Sequence, residues 1–307
     1  MNELKIFTPA TIANVSCGFD VLGLALDNVG DEMIIRKIPE NGIIISKIEG
    51  QDLPLETHKN VAGVAGLALL AEAEATHGFE IEIIKRIKPG SGIGSSAASS
   101  AGAVWAINEL LGKPFNTSDL VRFAMEGERL ATGVAHADNV APALFGGFTL
   151  VRSYEPLDII SVNTPSELYA TVIHPQIEVK TSDAREILRT TVQLKDAIKQ
   201  WGNVGGLISG LYTEDYDLIG RSLQDHIIEP IRSILIPAFD SVKKNSIKAG
   251  ALGCGISGSG PSIFALSKGE ETALNVGEAM KAAYNKVGIK YDVHVSKVNK
   301  QGIKIIN

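Results

Sequence analysis

The chain has 307 residues, enough for one large domain or two ordinary ones, and its 45% hydrophobic and 21% charged content is that of a folded globular protein. Its 29 basic and 35 acidic side chains leave a formal charge of -6, which excludes a general attraction to nucleic acid, and no basic run is interleaved with aromatics. No apolar run has bilayer-spanning length, the first residues lack a signal-peptide layout, and Cys17 and Cys254 fit neither a disulfide framework nor a zinc site, so a cytoplasmic location is expected.

A strand is predicted over Leu4-Lys5-Ile6-Phe7, ended by Pro9-Ala10-Thr11. The segment from Ile12 to Gly23 is apolar and small-residued except for Asn14 and Asp20, which need partners if buried and serve as turn-makers if not. Met33 to Arg36 and Ile43 to Ser46 read as two strands joined by a turn at Pro39, Asn41 and Gly42. Asn60, in His58-Lys59-Asn60-Val61-Ala62, is placed to cap an Ala- and Leu-rich helix that runs through Glu74. The alternation in Phe79-Glu80-Ile81-Glu82-Ile83-Ile84 predicts a half-buried strand, broken by Pro89 and Gly90.

Between that strand and a helix predicted over Ala97 to Leu111 lies Lys88-Pro89-Gly90-Ser91-Gly92-Ile93-Gly94-Ser95-Ser96-Ala97-Ala98-Ser99-Ser100. Glycines without Cβ atoms let backbone N–H groups wrap an anion, and the following helix adds free N–H groups and the positive end of its dipole. Polyphosphate is the guest that suits this chemistry; a glycine turn with no ligand is the alternative. The loop has neither the Gly-Lys-Ser/Thr ending of a Walker A motif nor the third glycine of the dinucleotide fingerprint, since position 95 is serine. The Ser95-Ser96 pair can place a hydroxyl where a phosphate-bound metal would sit.

Asn116-Thr117-Ser118-Asp119 opens a helix over Leu120 to Thr132 whose buried face is predicted to carry Leu120, Phe123, Ala124, Gly127, Leu130 and Ala131. Glu126 and Glu128 fall on opposite flanks of that face, and the periodicity does not choose between them. The stretch Gly133 to Phe148 contains His136-Ala137-Asp138-Asn139, which as an isolated pattern reads as a hydrogen-bonded turn. The pattern restarts after Tyr154-Glu155-Pro156-Leu157, placing a domain boundary near 155–165, with strands at 159–162 and 168–173. Thr181-Ser182-Asp183-Ala184-Arg185 and Asp225 to Arg232 carry arginines, and Gly250 to Ser262 forms another glycine loop. An amphipathic helix over Glu271 to Val287 and a strand over Tyr291 to Val295 close the chain.

Pro89-Gly90-Ser91-Gly92-Ile93-Gly94-Ser95-Ser96-Ala97 resembles the phosphate loop of the GHMP kinases. The stretches Pro9 to Asp20, His136 to Pro142 and Gly250 to Ser262 resemble further motifs, in the form that the homoserine kinase family gives them, and the likeness spans nearly the whole chain. It implies an α+β, two-domain GHMP kinase fold, with a mixed-sheet domain over 1–160, a ferredoxin-like domain over 161–307 and the active site in the cleft between them. The implied activity is ATP-dependent phosphorylation of L-homoserine on the route to threonine; another small-molecule kinase of the mevalonate type, or a non-catalytic ligand-binding regulator, stays open. By resemblance Lys88 to Ala98 hold ATP, Asn60 lies near the base, and Ser96 and Glu128 hold Mg²⁺. Asn14, Asp20, His136, Asn139, Thr181, Arg185 and Arg232 face homoserine, with Asn139, Glu128 and Arg185 closest to the chemistry. An arginine fork suits an amino-acid carboxylate and Asp20 an ammonium. Asn139 stands where related kinases carry a proposed aspartate base, which points to catalysis by positioning and charge stabilisation. Neither nucleic acid nor membrane is an expected partner, and a homodimer remains open.

Overall fold

The computed structural model describes residues 2–177, 179 and 181–307, the side chains of Thr181 and Ser182 excepted. In chain order the elements are β1 (Glu3–Ala13), β2 (Leu22–Ile38), β3 (Ile43–Glu49), α1 (Val61–Ala73), β4 (Gly78–Ile84), α2 (Ser95–Leu111), α3 (Thr117–Thr132), α4 (Val140–Phe145), β5 (Phe148–Tyr154) and β6 (Leu157–Val162). There follow β7 (Leu168–Pro175), α5 (Thr181–Glu186), α6 (Leu194–Thr213), α7 (Tyr216–Ser222), α8 (Glu229–Arg232), α9 (Phe239–Lys248), β8 (Gly253–Ile256), β9 (Ile263–Lys268), α10 (Glu270–Val287), β10 (Tyr291–Lys297) and β11 (Lys304–Ile305).

The first sheet is mixed, in the order β11-β1-β2-β4-β3, with β5 on the far end of β2 and β6 on β5. β1 runs through Pro9, where the sequence predicts a stop, because the pairing with β2 shifts register between Pro9 and Thr11 and a proline without an N–H fits such an irregularity. The turn after β2 does not close a hairpin. β4 lies between β2 and β3 and pairs parallel to β3, with α1 as the crossover that a parallel connection needs. The alternation of β4 buries Phe79, Ile81 and Ile83, each worth about 1.5–3 kcal/mol when removed from water, so β4 takes the inner position. β3, with Ile44 exposed between Ile43 and Ile45, sits at the edge.

α2 and α3 pack on this sheet with α1. The small residues of α2 allow a close approach: a Cβ at Gly102 would lie 2.4 Å from Thr8 Cγ2 and 2.5 Å from Met33 Sδ. α3 begins on a capping box in which Asn116 and Asp119 each accept the other's backbone N–H. Its face is buried from Leu120 through Glu128, but Leu130 and Ala131 are exposed, so the predicted apolar stripe ends one turn early.

The second sheet, β10-β7-β9-β8, is antiparallel throughout. Its β-α-β-β-α-β order around β7, β8, β9 and β10 is the ferredoxin-like arrangement expected. α9 and α10 cover one face, where Ile173, Val276, Met280 and Tyr284 cluster. The other face presents Leu168, Ala170, Val172, Phe264 and Leu266 to the back of the first sheet, where Ile12, Leu22, Leu24 and Phe148 complete a shared core. The expected division at 160/161 falls within β6, and β11 returns the chain end to β1. A shared core and a returning strand hold the loops at the ends of both sheets in fixed relation.

Candidate active site

β4 ends at Ile84, and ten residues later α2 begins on Gly94, a helix start with no side-chain cap. Its first N–H groups therefore have no intrahelical or capping partner and carry the positive end of the dipole. Gly90, Gly92 and Gly94 all have positive φ, at 73°, 82° and 71°. Gly94 is also required by space, since a Cβ would lie 2.0 Å from Thr11 Oγ1. The loop's carbonyls face the protein: Ser91 O accepts from the Ser262 N–H at 3.3 Å, Gly92 O from Ser257 Oγ at 2.7 Å, and Ile93 O from the Thr11 N–H at 3.1 Å. The glycine loop between β8 and β9 thus braces the phosphate loop.

Behind the loop is a buried ionic knot. Lys85 and Asp31 have side chains 2% and 0% exposed and form an ion pair; Lys85 Nζ also donates to the Ser95 carbonyl at 2.5 Å and to Ser99 Oγ at 3.0 Å. Asp31 Oδ1 accepts the N–H groups of Arg86 and Ile87 at 2.7 and 2.8 Å. Burial pulls the Lys85 ammonium down in pKa while Asp31 holds it up. Glu128, from α3, is 5% exposed with Oε1 buried and unpartnered. Burial raises its carboxyl to about 7, against the smaller opposing pulls of the Ser96 hydroxyl and Lys85. An unpaired, buried, hard oxygen beside a serine hydroxyl fits a Mg²⁺ held jointly with phosphate oxygens. Among the described residues no group of three His, Cys, Asp or Glu side chains could hold a metal alone, so phosphate oxygens would have to complete its shell.

On the opposite wall, the loop after β1 turns through Asn14 and Asp20, both at positive φ. Asn14 Oδ1 accepts the Asp20 N–H at 2.9 Å and Nδ2 donates to the Gly258 carbonyl at 2.7 Å, tying the first sheet's loop to the second sheet's. Arg185, from α5, places Nη2 3.1 Å from both Asp20 oxygens and 2.8 Å from His136 Nε2. Burial lowers the His136 imidazole in pKa, Asp20 opposes this, and Arg185 and Arg232 reinforce it, so the ring accepts the arginine's hydrogen in its neutral form. Arg232 is 3% exposed, donates to the Ala184 carbonyl at 2.8 Å, and lies over the Phe19 ring at 5.0 Å. Burial, then Arg185, bring it down to about 10. Tyr154 Oη donates to the Asp20 carbonyl at 2.9 Å and accepts the Ala137 N–H at 3.3 Å. Asn139 Oδ1 accepts from Thr11 Oγ1 at 2.7 Å, which leaves its amide nitrogen as the donor arm.

These walls enclose one cavity of about 380 Å³. Pro89, Gly90, Gly92, Gly94, Ser95 and Ser96 of the glycine loop, with Glu128, line one side, and Asn14, Asp20, His136, Asp138, Asn139, Arg185 and Arg232 the other.

The family model for the GHMP kinases N terminal domain matches residues 59–147, and that for the GHMP kinases C terminal matches 207–286. A homoserine kinase from Chlorobium phaeobacteroides (strain BS1) is 50% identical, with all of each chain covered. The chain belongs to the homoserine kinase family of GHMP kinases. The crystal structure of a homoserine kinase from Cytophaga hutchinsonii superposes on this one with a TM-score of 0.96, at 55% identity over 100% of this chain and 98% of the other. An L. major mevalonate kinase, 15% identical with a TM-score of 0.72 over 96% of each chain, shares the fold.

Within this homoserine kinase family member the cavity gathers most of the residues singled out in the sequence. Asn60 is elsewhere: Oδ1 caps α1 by accepting the Ala62 N–H at 3.0 Å and Nδ2 donates to the Pro54 carbonyl at 2.8 Å, so Val61, not Asn60, reaches the cavity wall. Lys88 Nζ donates to Gln176 at 2.8 Å, outside the lining. Ser91, Ile93, Ala97 and Ala98 are buried and are not among the residues that line the cavity. The side chain of Thr181 lies outside the described residues. Three lining or supporting residues went unnoticed in the sequence. Lys85 ends an apolar strand and its partner Asp31 is 54 positions away; a lysine closing such a run is the only signal. Asp138 was passed over for Asn139, yet it is 4% exposed and burial, then Asp20 and Glu128, push its carboxyl to about 8. Tyr154 was read only as a boundary marker.

Proposed function

We propose that this chain transfers the γ-phosphoryl group of ATP to the hydroxyl of L-homoserine, giving O-phospho-L-homoserine and ADP on the route to threonine. The observation that carries the reading is the pairing, in one cavity, of an uncapped helix start with the Asp20, Arg185 and Arg232 wall. The first suits polyphosphate, and the second suits both charged ends of an amino acid.

In this reading the loop 89–98 holds the phosphates through those backbone N–H groups after Pro89 that are free to donate, and Gly90, Gly92 and Gly94 give the backbone its approach. Ser96 and Glu128 would hold a Mg²⁺, which when bound supplies positive charge against the developing charge on the phosphoryl oxygens. Asp20 takes the substrate ammonium, Arg185 and Arg232 its carboxylate, and Asn14, His136 and Thr181 complete that pocket. Asn139, whose Oδ1 is engaged by Thr11, would offer its amide nitrogen to the reacting oxygens as a donor; an amide does not accept the hydroxyl proton, so it would orient. A largely dissociative phosphoryl transfer asks for positioning and charge neutralisation more than for a strong base. A cytoplasmic setting is part of the proposal. Among the described residues no helix is long and apolar enough to cross a membrane.

Release of ADP, coupled to a reporter and measured with MgATP against L-homoserine, mevalonate, galactose and L-serine, tests the reading. A strong preference for homoserine supports it. Preference for another alcohol keeps the phosphate side and overturns the assignment of the charged wall; no turnover on any of the four overturns the assignment as a whole.

A further inference from the structure

In the cavity the two groups assigned to the two ends of the substrate are bonded to each other. Arg185 Nη2 bridges both Asp20 oxygens at 3.1 Å. The pair is not a surface contact of convenience, because each partner faces a like charge as well. Arg185 is close enough to Arg232 to lower the latter's pKa, and Asp20 close enough to Asp138 to raise that one's. The neutral His136 ring, 2.8 Å from Arg185 Nη2, adds a dipole and no counter-charge. Pulling the pair apart without replacement would leave Arg185 facing Arg232, and would leave the Asp20 carboxylate beside the Asp138 carboxyl with Arg232 as its remaining counter-charge.

Resting on the homoserine reading above, we propose that the Asp20–Arg185 ion pair is a self-complementary latch that only a zwitterion opens: the ligand's ammonium replaces the guanidinium on Asp20 while its carboxylate replaces Asp20 on Arg185. The selectivity that follows differs from simple two-point recognition. A ligand with one charge must break the pair and strand the other partner, so it is penalised in proportion to the pair's own strength, not merely for the contact it lacks. A ligand with neither charge leaves the latch shut. Binding of the full zwitterion exchanges one set of charge-assisted hydrogen bonds for two and strands nothing. The geometry agrees with an exchange at this wall: Asp20 is held by Asn14 and Tyr154 through its backbone, and among the described residues its carboxylate is hydrogen-bonded to Arg185, with His136 Nδ1 3.8 Å away. The loop carrying Asp20 therefore has no need to move when the carboxylate changes partner.

The latch makes a reciprocal prediction. Removing one member frees the other, so the mutilated pocket should gain affinity for the ligand of single charge that uses the surviving member. Two probes are used, each homoserine with one group deleted: 4-hydroxybutanoate, carrying only the carboxylate, and 3-aminopropan-1-ol, carrying only the ammonium. Dissociation constants are measured by titration calorimetry on the full chain. Asp20→Asn should bind 4-hydroxybutanoate roughly tenfold more tightly than the wild type, and Arg185→Gln should bind 3-aminopropan-1-ol more tightly by a similar factor, a tenfold change being what release from a partly exposed charged contact is worth. Both variants should bind homoserine itself at least tenfold more weakly. If both single-charge affinities stay within about twofold of the wild type or weaken, the latch is overturned. Failure of the homoserine reading is a separate result: the wild-type chain would then not phosphorylate homoserine, whatever the variants bind. If one variant does not fold, the other decides alone.

Discussion

Glu128→Gln tests the metal wall and the cost of building it in one variant. The wild-type carboxyl is 5% exposed, leaves Oε1 without a partner, and is raised by burial from 4.5 to about 7. A shift of about 2.5 pKa units corresponds to about 3 kcal/mol. The sign follows from the direction: a carboxyl whose folded pKa is raised is comfortable while protonated, so its favourable contribution is full below pH 4.5 and is lost as pH rises through 7. Glutamine stays neutral at every pH. Any fixed offset from the new amide cancels when the stability difference between wild type and variant is compared at two pH values; Asp138 titrates in both proteins, and the part of its upward shift that Glu128 causes is absent from the variant and adds to the wild type's loss in the same direction. Urea unfolding at pH 5 and pH 8.5, without nucleotide, should show the wild type losing about 2.5 kcal/mol relative to the variant across that interval. At pH 8.5 the variant is expected to gain relative stability, while kcat with saturating homoserine falls at least about a hundredfold, as expected for loss of a transition-state charge contact. A stability difference that does not change with pH refutes the argument from burial. An unchanged kcat removes Glu128 from the metal site.

Asp31→Asn leaves Lys85 buried without its counter-ion and should cost about 3–5 kcal/mol, measured by urea unfolding; a loss under about 1 kcal/mol would mean that the ion pair does not brace the phosphate loop. Gly94→Ala adds a Cβ within 2.0 Å of Thr11 Oγ1 at a positive φ, so binding of MgATP should weaken at least about tenfold in calorimetry, whereas a normal affinity would show that the loop can be built without glycine there. Tyr154→Phe removes the hydroxyl that joins the Asp20 carbonyl to the Ala137 N–H; steady-state kinetics should show a KM for homoserine raised roughly three- to tenfold with the KM for ATP within twofold of the wild type, and equal changes in both would refute a local positioning role.

Local chemistry in the sequence carried the phosphate side of this protein. Alternating glycines, the serine pair and a small-residue helix start admit few conformations, so Pro89 to Ser96 could be read as an anion cradle before any coordinates, and the N-cap at Asn116 likewise follows from residue type. The ferredoxin-like sheet and the mixed first sheet were legible through resemblance, not through periodicity. Tertiary structure decided what depends on partners distant in the chain. Glu126 and Glu128 are nearly equivalent by helical angle, and only the packing of α3 against α2 buries the second beside Ser96. Lys85 and Asp31 are ordinary charges in sequence and a fixed ionic knot in space, because β2 and β4 are neighbours. Asp20 and Arg185 stand 165 positions apart, and no local signal says that they meet. The physical reason is the same in each case: backbone conformation is set by a few adjacent residues, whereas burial and ion pairing are set by whichever surfaces the fold brings together.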